Sequence, residues 1–310
     1  MSWFEIKQFQ GTLTRPLTFV GVGLHSGKMV EVTIYPADVD TGIVFKRTDH
    51  DFGQLVPAIP SNISCTNLST TIGWDDNSIA TIEHLMAAFA GMGIDNALVE
   101  VSGREVPILD GSAAPFVDKL SEVGVQLQNR KRKIFMPQTG FTLTLGQQKI
   151  KYEPYYSLNE EELRENPRLE INCSIDFPLS QAIGCQTYHT EFTHRSFLAI
   201  YDARTFCHID EVNHMRSRGL ALGGSLDNAV VVNNQAVINN EGLRYPNEFV
   251  KHKLLDFIGD LSLIGGRLVG KVNIYKGGHT LHAAFTKRIL EECEQANEGV
   301  TCLSSSVSLG

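Results

Sequence analysis

The chain has 310 residues, of which 42% are hydrophobic and 20% are charged, values typical of a soluble globular protein large enough for two domains or one large one. A formal net charge of −8 argues against a nucleic-acid-binding protein, which would need a basic face. No stretch approaches the roughly 20 apolar residues that span a bilayer, and the opening residues lack the apolar core of a signal peptide, so we expect a cytoplasmic protein.

The first half of the chain predicts strands followed by helices. Apolar and polar residues alternate at 29–34 and 42–46, which indicates strands. Apolar residues then recur at i, i+3, i+4 and i+7 and predict a helix over about 79–90, with Gly91 in the left-handed position after it. A second helix is predicted over about 115–123.

Two polar segments interrupt the pattern in the middle of the chain. The basic run at 128–133 predicts a solvated linker. The charged run at 158–168 has a proline near its end and predicts a surface insertion. The predicted domains are therefore residues 1–128 and 134–310.

The second half predicts further strands and one long helix. Strands are predicted at 169–177, 188–192, 229–233 and 270–275. A short helix is predicted at 209–216, and the last major helix runs from near Pro246 to about residue 264, where two glycines end it. Strands interleaved with one or two helices per half favour an α+β fold over a doubly wound parallel sheet.

One helical signature occurs in both halves. The pattern (Ile/Val)-x-His-x-(Met/Leu)-x-x-Phe-x-Gly matches residues 82–91 and again residues 250–259, and a predicted strand follows each copy. The chain therefore contains two related halves. Two homologous helices can bring His84 and His252 to one seam between the halves.

These two histidines, together with Asp256, point to a metal site. His252 and Asp256 are spaced i, i+4, so on a helix both side chains leave the same face. An amphipathic surface helix has the same spacing and is the alternative. Two histidines and one carboxylate leave a fourth zinc position open for water, as in catalytic zinc sites, and Glu83 would stand beside that water. Taken alone, Glu83 is better explained as a first-turn acid favoured by the helix dipole.

A third histidine follows the last predicted strand. In the sequence YKGGHT, two glycines allow a sharp turn that presents His279 at the strand end. Asp260 could orient His279 and favour its charged form, and Lys276 would offer a cation to a phosphate. The alternative is a solvated loop histidine.

Seven segments together resemble one enzyme family. They occur in the family's order and are GVGLHSGK (21–28), TIEHLMAAFAGMGIDN (81–96), VPILDGSAAPF (106–116), ARTF (203–206), RGLALGGSLDNAVVV (218–232), GLRYPNEFVKHKLLDFIGDL (242–261) and YKGGH (275–279). The chain resembles the zinc-dependent UDP-3-O-acyl-N-acetylglucosamine deacetylases of lipid A biosynthesis. The resemblance implies two similar α+β domains in a β-α-α-β arrangement, with helices sandwiched between sheets.

The resemblance also implies a role for each matching residue. The implied site consists of Zn²⁺ held by His84, His252 and Asp256, with Glu83 as general base and His279 as a cationic partner positioned by Asp260. Thr205 is implied to hydrogen-bond the tetrahedral oxyanion. Lys253 and Lys276 match basic residues near the substrate's sugar and phosphates.

An insertion at about 207–232 is implied to form a hydrophobic passage for the substrate's 3-O-acyl group. Predicted substrate contacts there and beside it are Phe206, Val212, Met215, Leu220 and Leu222. The alternative is that these residues only pack the insertion onto the second domain. Cys207 and His208 stand where family members commonly carry Gly-Phe.

The implied activity is hydrolysis of the N-acetyl group of UDP-3-O-(3-hydroxyacyl)-N-acetylglucosamine, the committed step of lipid A biosynthesis. The partner is this small UDP-sugar lipid precursor, with no nucleic acid and no transmembrane segment; a monomer is expected, and peripheral membrane contact is compatible with the lipid substrate. Either Glu83 or His279 protonates the leaving amine. The alternatives are an inactive sugar-nucleotide-binding scaffold, a structural protein, and a zinc deacetylase of another acetamido sugar. Fe(II) also suits two histidines and a carboxylate.

Overall fold

The computed structural model describes residues 8–156 and 159–304, and within them two five-stranded sheets have the same topology. The first consists, in order, of β2 (Leu17–Val22), β3 (Met29–Pro36), β8 (Ala97–Val101), β4 (Ile43–Arg47) and β5 (Leu55–Pro57). The second consists of β11 (Phe141–Leu145), β12 (Gln148–Glu153), β18 (Gly270–Tyr275), β13 (Leu169–Phe177) and β14 (Gly184–Glu191). In each sheet the central strand pairs antiparallel with one neighbour and parallel with the other. This shared topology confirms the two similar α+β units predicted from the repeated signature.

Helices and short strands complete the two halves. The helices are α1 (Glu83–Met92), α2 (Ala114–Val123), α3 (Glu160–Glu165), α4 (His194–Phe197), α5 (Ile209–Ser217), α6 (Glu248–Ser262) and α7 (His279–Ser304). The short strands pair as β1 (Phe9–Leu13) with β9 (Val125–Lys131), β6 (Ile63–Cys65) with β7 (Thr71–Ile72), β10 (Ile134–Phe135) with β17 (Arg267–Leu268), and β15 (Phe206–His208) with β16 (Val230–Val232). Single 3₁₀ turns lie at Pro60–Asn62 and Asp75–Asn77.

The repeated helices α1 and α6 pack against each other along the seam between the halves. α2 packs on α1 and also contacts β2, whereas α7 packs on α6 and contacts β11 and β12. Gly259 allows the close approach of α1 and α6, because a Cβ at this position would lie 2.0 Å from the carbonyl oxygen of Glu83. The helices therefore form the inner layers and bring the two signature histidines together, as the sequence predicted.

The bounds of α1 require a correction. It begins at Glu83 rather than near residue 79, because Ile79 and Ala80 form β-bridges to neighbouring segments. It ends one residue beyond Gly91, and Gly93 takes the left-handed conformation with φ of 77°. Gly91 instead lies against the ring of Phe197, which leaves no room for a side chain.

The prediction that α6 is the last major helix is wrong. α6 starts within two residues of the predicted position, but α7 follows it and is longer. His279 is therefore the first residue of a helix and not part of a loop. The buried side chains of Leu281, Phe285 and Ile289 recur every four residues along α7 and pack it into the core.

The predicted linker at 128–133 is not an irregular segment. Most of it lies in β9, which pairs with β1. The buried guanidinium of Arg132 follows, with its Nε 2.7 Å from Oδ1 of Asp95. The division of the chain into domains at 128 and 134 stays a proposal. Within the charged run at 158–168, α3 is largely exposed, in keeping with a surface insertion, and Leu158 lies outside the described residues.

None of the helices in the part of the chain that the structure describes combines the length and the apolar character needed to cross a membrane.

Candidate active site

Two histidines and one aspartate meet where the start of α1 crosses the middle of α6. Nε2 of His84 lies 3.5 Å and Nε2 of His252 lies 3.2 Å from Oδ1 of Asp256. All three side chains are buried, and their ligand atoms lie within 4.8 Å of one another. Ligands at about 2.0–2.1 Å from a tetrahedral zinc are about 3.3 Å apart, so this spacing suits a divalent ion. We call these three residues the His-His-Asp256 cluster.

A backbone carbonyl fixes the orientation of His252. Nδ1 of His252 donates to the carbonyl oxygen of Ala203 at 3.0 Å, so Nε2 presents its lone pair to the cluster. The next residue, Arg204, is buried and pairs with Glu248 at the start of α6, with Nε 2.8 Å from Oε1. This ion pair joins the segment around Ala203 to the helix that carries His252.

The charges around the cluster favour the protonation states that bind a metal. Burial would raise the pKa of Asp256, but His252 and Lys253 outweigh burial and hold that pKa well below its ordinary value. Nζ of Lys253 donates to Oδ2 of Asp256 at 3.0 Å. Burial lowers the pKa of His252 and so favours its neutral form. A carboxylate anion and a neutral imidazole are the forms that coordinate metal ions.

Glu83 is the first residue of α1 and lies beside the cluster with only 4% of its surface exposed. Its Oε2 accepts the backbone N–H of Thr70 at 3.0 Å. Burial raises the pKa of Glu83, although His279 and His84 oppose the shift. A carboxylate with a raised pKa is suited to take up a proton and release it again.

Asp260 pairs with His279, as the sequence suggested. Nδ1 of His279 lies 2.8 Å from Oδ2 of Asp260. Burial would lower the pKa of His279, but Asp260 outweighs burial and raises the pKa to about 9. Burial would likewise raise the pKa of Asp260, but His279 brings it down to about 2. At neutral pH the pair is therefore an imidazolium and a carboxylate.

A further histidine, His282, completes a second cluster. Its Nδ1 also lies 2.8 Å from Oδ2 of Asp260, and the ligand atoms of His279, His282 and Asp260 lie within 4.8 Å of one another. A separation of 2.8 Å is that of a charge-assisted hydrogen bond and is shorter than the distance between two ligands of one ion. We call this hydrogen-bonded set the His-His-Asp260 cluster.

A cavity of about 820 Å³ extends from these clusters towards the glycine-rich insertion. Of the predicted substrate contacts, the cavity is lined by Thr205, Phe206, Val212, Met215, Leu220 and Lys253. The ring of Phe206 packs edge to face on Phe249 and lies 5.6 Å from Nζ of Lys253. The cavity thus has a polar inner end near the two clusters and a largely apolar extension.

Residues 10–291 match the family model described as UDP-3-O-acyl N-acetylglycosamine deacetylase. The chain belongs to this family. Similar proteins named UDP-3-O-acyl-N-acetylglucosamine deacetylase include one from Geobacter sp. (strain M21), 45% identical over 284 residues, which are 91% of this chain and 89% of the relative. Another, from Teredinibacter turnerae (strain ATCC 39867 / T7901), is 42% identical over 294 residues, 94% of this chain and 93% of the relative. A third, from Syntrophotalea carbinolica (strain DSM 2380 / NBRC 103641 / GraBd1), is 40% identical over 287 residues, 92% and 89% of the two chains.

Two predicted contacts of this family member lie away from the cavity. Nζ of Lys276 is 3.2 Å from Oδ2 of Asp176 and donates to Oε1 of Gln147 at 3.0 Å. Leu222 is half exposed and does not line the cavity. The structure therefore does not bring either side chain to the two clusters.

Sequence reasoning missed two residues of this region, Thr70 beside the His-His-Asp260 cluster and His282 within it. Oγ1 of Thr70 donates to Oδ1 of Asp260 at 2.5 Å, while its backbone N–H binds Glu83. Thr70 lies in a threonine-rich stretch at 65–72 that contains no recognisable motif. His282 had a usable signal, because it follows His279 by three residues and so shares a face with it on a helix.

Proposed function

We propose that this chain hydrolyses the N-acetyl group of UDP-3-O-(3-hydroxyacyl)-N-acetylglucosamine, committing the sugar to lipid A biosynthesis. As a member of the family, the chain is a deacetylase that acts on an amide. The observation that carries the assignment of residues is the position of Glu83 beside the His-His-Asp256 cluster, at the polar end of the cavity. We further propose a cytoplasmic monomer that contacts membranes only peripherally.

The metal that we propose for the His-His-Asp256 cluster is zinc. The three donors suit this ion because both histidine nitrogens lie 3.2 to 3.5 Å from Oδ1 of Asp256, the spacing of tetrahedral ligands, and because His252 already uses Nδ1 on a backbone carbonyl. When bound, zinc lowers the pKa of a water molecule to about 7 and polarises a carbonyl group. Fe(II) suits the same ligands, so the metal must be identified by analysis of the purified protein.

The residues around the cluster would then divide the proton transfers and charge stabilisation between them. Glu83 takes a proton from the attacking water, whose oxygen becomes part of the released acetate. The C–N bond of the amide breaks, and the leaving amine takes up a proton from Glu83 or from His279. The imidazolium of His279, held by Asp260, also offsets negative charge that develops on the substrate.

Thr205 is proposed to donate a hydrogen bond to the oxyanion of the tetrahedral intermediate. Its backbone is held on both sides, since its N–H donates to the carbonyl oxygen of Gly111 at 2.7 Å and its own carbonyl accepts the N–H of Val230 at 2.7 Å. This anchoring supports a fixed position for the side chain at the cavity wall. A donor fixed before the reaction stabilises the transition state without the cost of being ordered during it.

For the substrate, we propose that the apolar extension of the cavity takes the 3-O-acyl chain. Met215 and Leu220 would contact this chain, whereas Phe206 and Lys253 would contact the sugar. Lys276 would reach the phosphates only after leaving Asp176.

The deacetylase activity is tested by measuring acetate release from the full substrate and from substrates with a shortened or missing acyl chain. Each methylene buried contributes about 0.8 kcal/mol, so we expect kcat/KM to fall by several orders of magnitude across the series. Met215→Glu should abolish most of the preference for long chains. The matched control is Leu222→Glu, which places the same charge on a half-exposed residue outside the cavity lining.

The possible outcomes separate the parts of the proposal. Equal efficiency across the acyl series would overturn the passage and leave a deacetylase of another acetamido sugar. No acetate release from any substrate by the metal-loaded protein would overturn the activity itself.

A further inference from the structure

One carboxylate oxygen of the His-His-Asp260 cluster accepts two histidine N–H groups. Nδ1 of His279 and Nδ1 of His282 each lie 2.8 Å from Oδ2 of Asp260. The other oxygen, Oδ1, accepts the hydroxyl of Thr70 at 2.5 Å. The proposed function uses His279 and Asp260, but it gives no role to His282, which is 1% exposed.

The surroundings of His282 define its protonation state. A carboxylate only accepts hydrogen bonds, so Nδ1 of His282 carries the proton that faces Asp260. Its Nε2 is buried and has no hydrogen-bond partner among the described residues. Burial lowers the pKa of His282, so the ring is neutral and Nε2 is unprotonated. A Cβ at Gly277 would lie 2.7 Å from this Nε2, and the ring of Phe257 packs edge to face with the imidazole.

His279 faces charges from two other helices. Asp260 and Asp256 on α6 and Glu83 on α1 all favour its protonated form. The ammonium of Lys253 lies on α6 beside Asp256. Of these groups, Asp260 is the one in direct contact with His279, and His282 is a neutral donor to the same oxygen atom.

A second donor on Oδ2 has two physical effects. It holds the carboxylate in one orientation, because Oδ2 is fixed by two N–H groups and Oδ1 by a hydroxyl. It also draws electron density away from Oδ2, so Asp260 stabilises the protonated form of His279 less strongly. Both effects reach the reaction only through Asp260.

We propose that His282 is a positioning residue for the deacetylation, which holds Asp260 in place by a neutral Nδ1–H donor and thereby sets the orientation and proton affinity of His279. The inference rests on the proposed function, because it assigns His282 a part in the chemistry of His279. His282 itself does not reach the substrate, since it is covered by Phe257 and the turn at Gly277.

The test compares two substitutions at the same position. In His282→Asn, the side-chain amide keeps an N–H donor at the same distance along the side chain as Nδ1 but cannot titrate. His282→Leu keeps similar bulk and removes the donor. We expect His282→Leu to lower kcat about 10-fold, at the lower end of the effect of removing an orienting partner from a functional histidine. The basic limb of the pH profile, where activity falls at high pH, should move to higher pH by about half a unit or more in His282→Leu. Without the second donor, Asp260 stabilises the protonated form of His279 more strongly.

His282→Asn should recover most of the rate and return the basic limb to its wild-type position. Phe285→Leu is the packing control, because Phe285 is fully buried one turn further along α7 and also packs on Phe257, but its ring cannot donate a hydrogen bond to Asp260. It should lower stability without moving the limb. A limb that does not move in His282→Leu, or an Asn variant as impaired as the Leu variant, would overturn the proposal.

A double-mutant cycle with Asp260→Asn provides the second criterion. If His282 acts through Asp260, the change from His282 to Leu should have little further effect on kcat or on the limb in the Asp260→Asn background. Effects of the two substitutions that simply add would contradict a path through Asp260.

A measurement on the wild-type protein keeps the inference testable even if His282→Leu fails to fold. Ring-nitrogen NMR of the metal-loaded protein should show His282 protonated only at Nδ1, and His279 protonated at both nitrogens, at neutral pH. His282 protonated at Nε2 would contradict the proposal. This spectrum does not depend on turnover, so it decides the state of His282 even if the substrate assay rejects the proposed function.

Discussion

Two clusters with the same composition lie one helical turn apart on α6 and have different geometries. Each contains two histidines and one aspartate, and the aspartates, Asp256 and Asp260, are spaced i, i+4. In the His-His-Asp256 cluster, Nε2 atoms face the carboxylate at 3.2 and 3.5 Å. In the His-His-Asp260 cluster, Nδ1 atoms face it at 2.8 Å. The first spacing suits ligands around an ion, and the second suits direct hydrogen bonds.

The difference arises from what else each histidine contacts. Nδ1 of His252 is already bound to the carbonyl of Ala203, which leaves Nε2 for the cluster. His279 and His282 instead lie in the first turn of α7, and this position directs their Nδ1 atoms at one oxygen of Asp260. Residue types alone therefore do not identify a metal site, because the nitrogen that faces the carboxylate and its distance also matter.

The largest expected contrast is between alanine substitutions of the two aspartates. Asp256→Ala should lower metal content far below one per chain and reduce kcat/KM on the order of 10³-fold or more, because a ligand and its charge are lost. Asp260→Ala should keep the metal, because that aspartate is not proposed as a ligand. Metal analysis of both purified variants, alongside acetate release, tests the comparison. Equal metal loss in both variants would contradict it.

The next contrast concerns Glu83, which lies beside the first cluster without belonging to it. Glu83→Gln should keep the metal and lose roughly 10²-fold or more in kcat, because the amide cannot take up the proton. The measurement is kcat together with metal content in the same sample. Turnover close to that of the wild type would remove Glu83 from the mechanism.

A smaller effect is expected on the pH dependence of the reaction. His279 carries its charge below its pKa of about 9, so activity that needs the cation should be present at neutral pH and fall as the pH rises through about 9. Asp260→Asn removes the charge that raises this pKa while burial continues to lower it, so the basic limb should move to lower pH. The pH profile of kcat/KM tests this shift. The pKa values read from such a profile are macroscopic and need not belong to one residue. If the basic limb stays in place in Asp260→Asn, it reports the titration of a group other than His279.

The smallest expected effect comes from widening the seam that both clusters share. Gly259 lies between the two aspartates, and a Cβ there would meet the carbonyl oxygen of Glu83. We expect Gly259→Ala to destabilise the protein by about 1–3 kcal/mol, as overpacking does, and to weaken metal binding and activity together. Chemical denaturation measures the first effect. A fully stable variant would show that α1 and α6 tolerate a wider separation.

The sequence predicted much of this arrangement because its signals are local or repeated. The second copy of the helical signature related His252 to His84, and the i, i+4 spacing added Asp256 on the same face. The equivalent sheets confirmed the two halves. The strand within the predicted linker at 128–133 was not foreseen, because charged residues also suit an exposed strand and strand pairing between β1 and β9 is not visible in composition.

Other features depended on contacts between distant segments. Thr70 meets Asp260 only because the segment before α1 passes over α6, and no motif marks that crossing. His282 remained unassigned because His279 was expected in a loop, although the apolar residues Leu281, Phe285 and Ile289, four positions apart, indicate a helix. The ion pair of Lys276, the residue after β18, with Asp176 in β13 likewise depends on two strands that only the fold brings together.

The most direct test of the comparison is anomalous diffraction at the zinc edge, from crystals of the protein prepared with one equivalent of zinc. We expect a single strong peak among Nε2 of His84, Nε2 of His252 and a carboxylate oxygen of Asp256, with hydrogen bonds alone in the His-His-Asp260 cluster. A peak of equal or greater height among His279, His282 and Asp260 would contradict it.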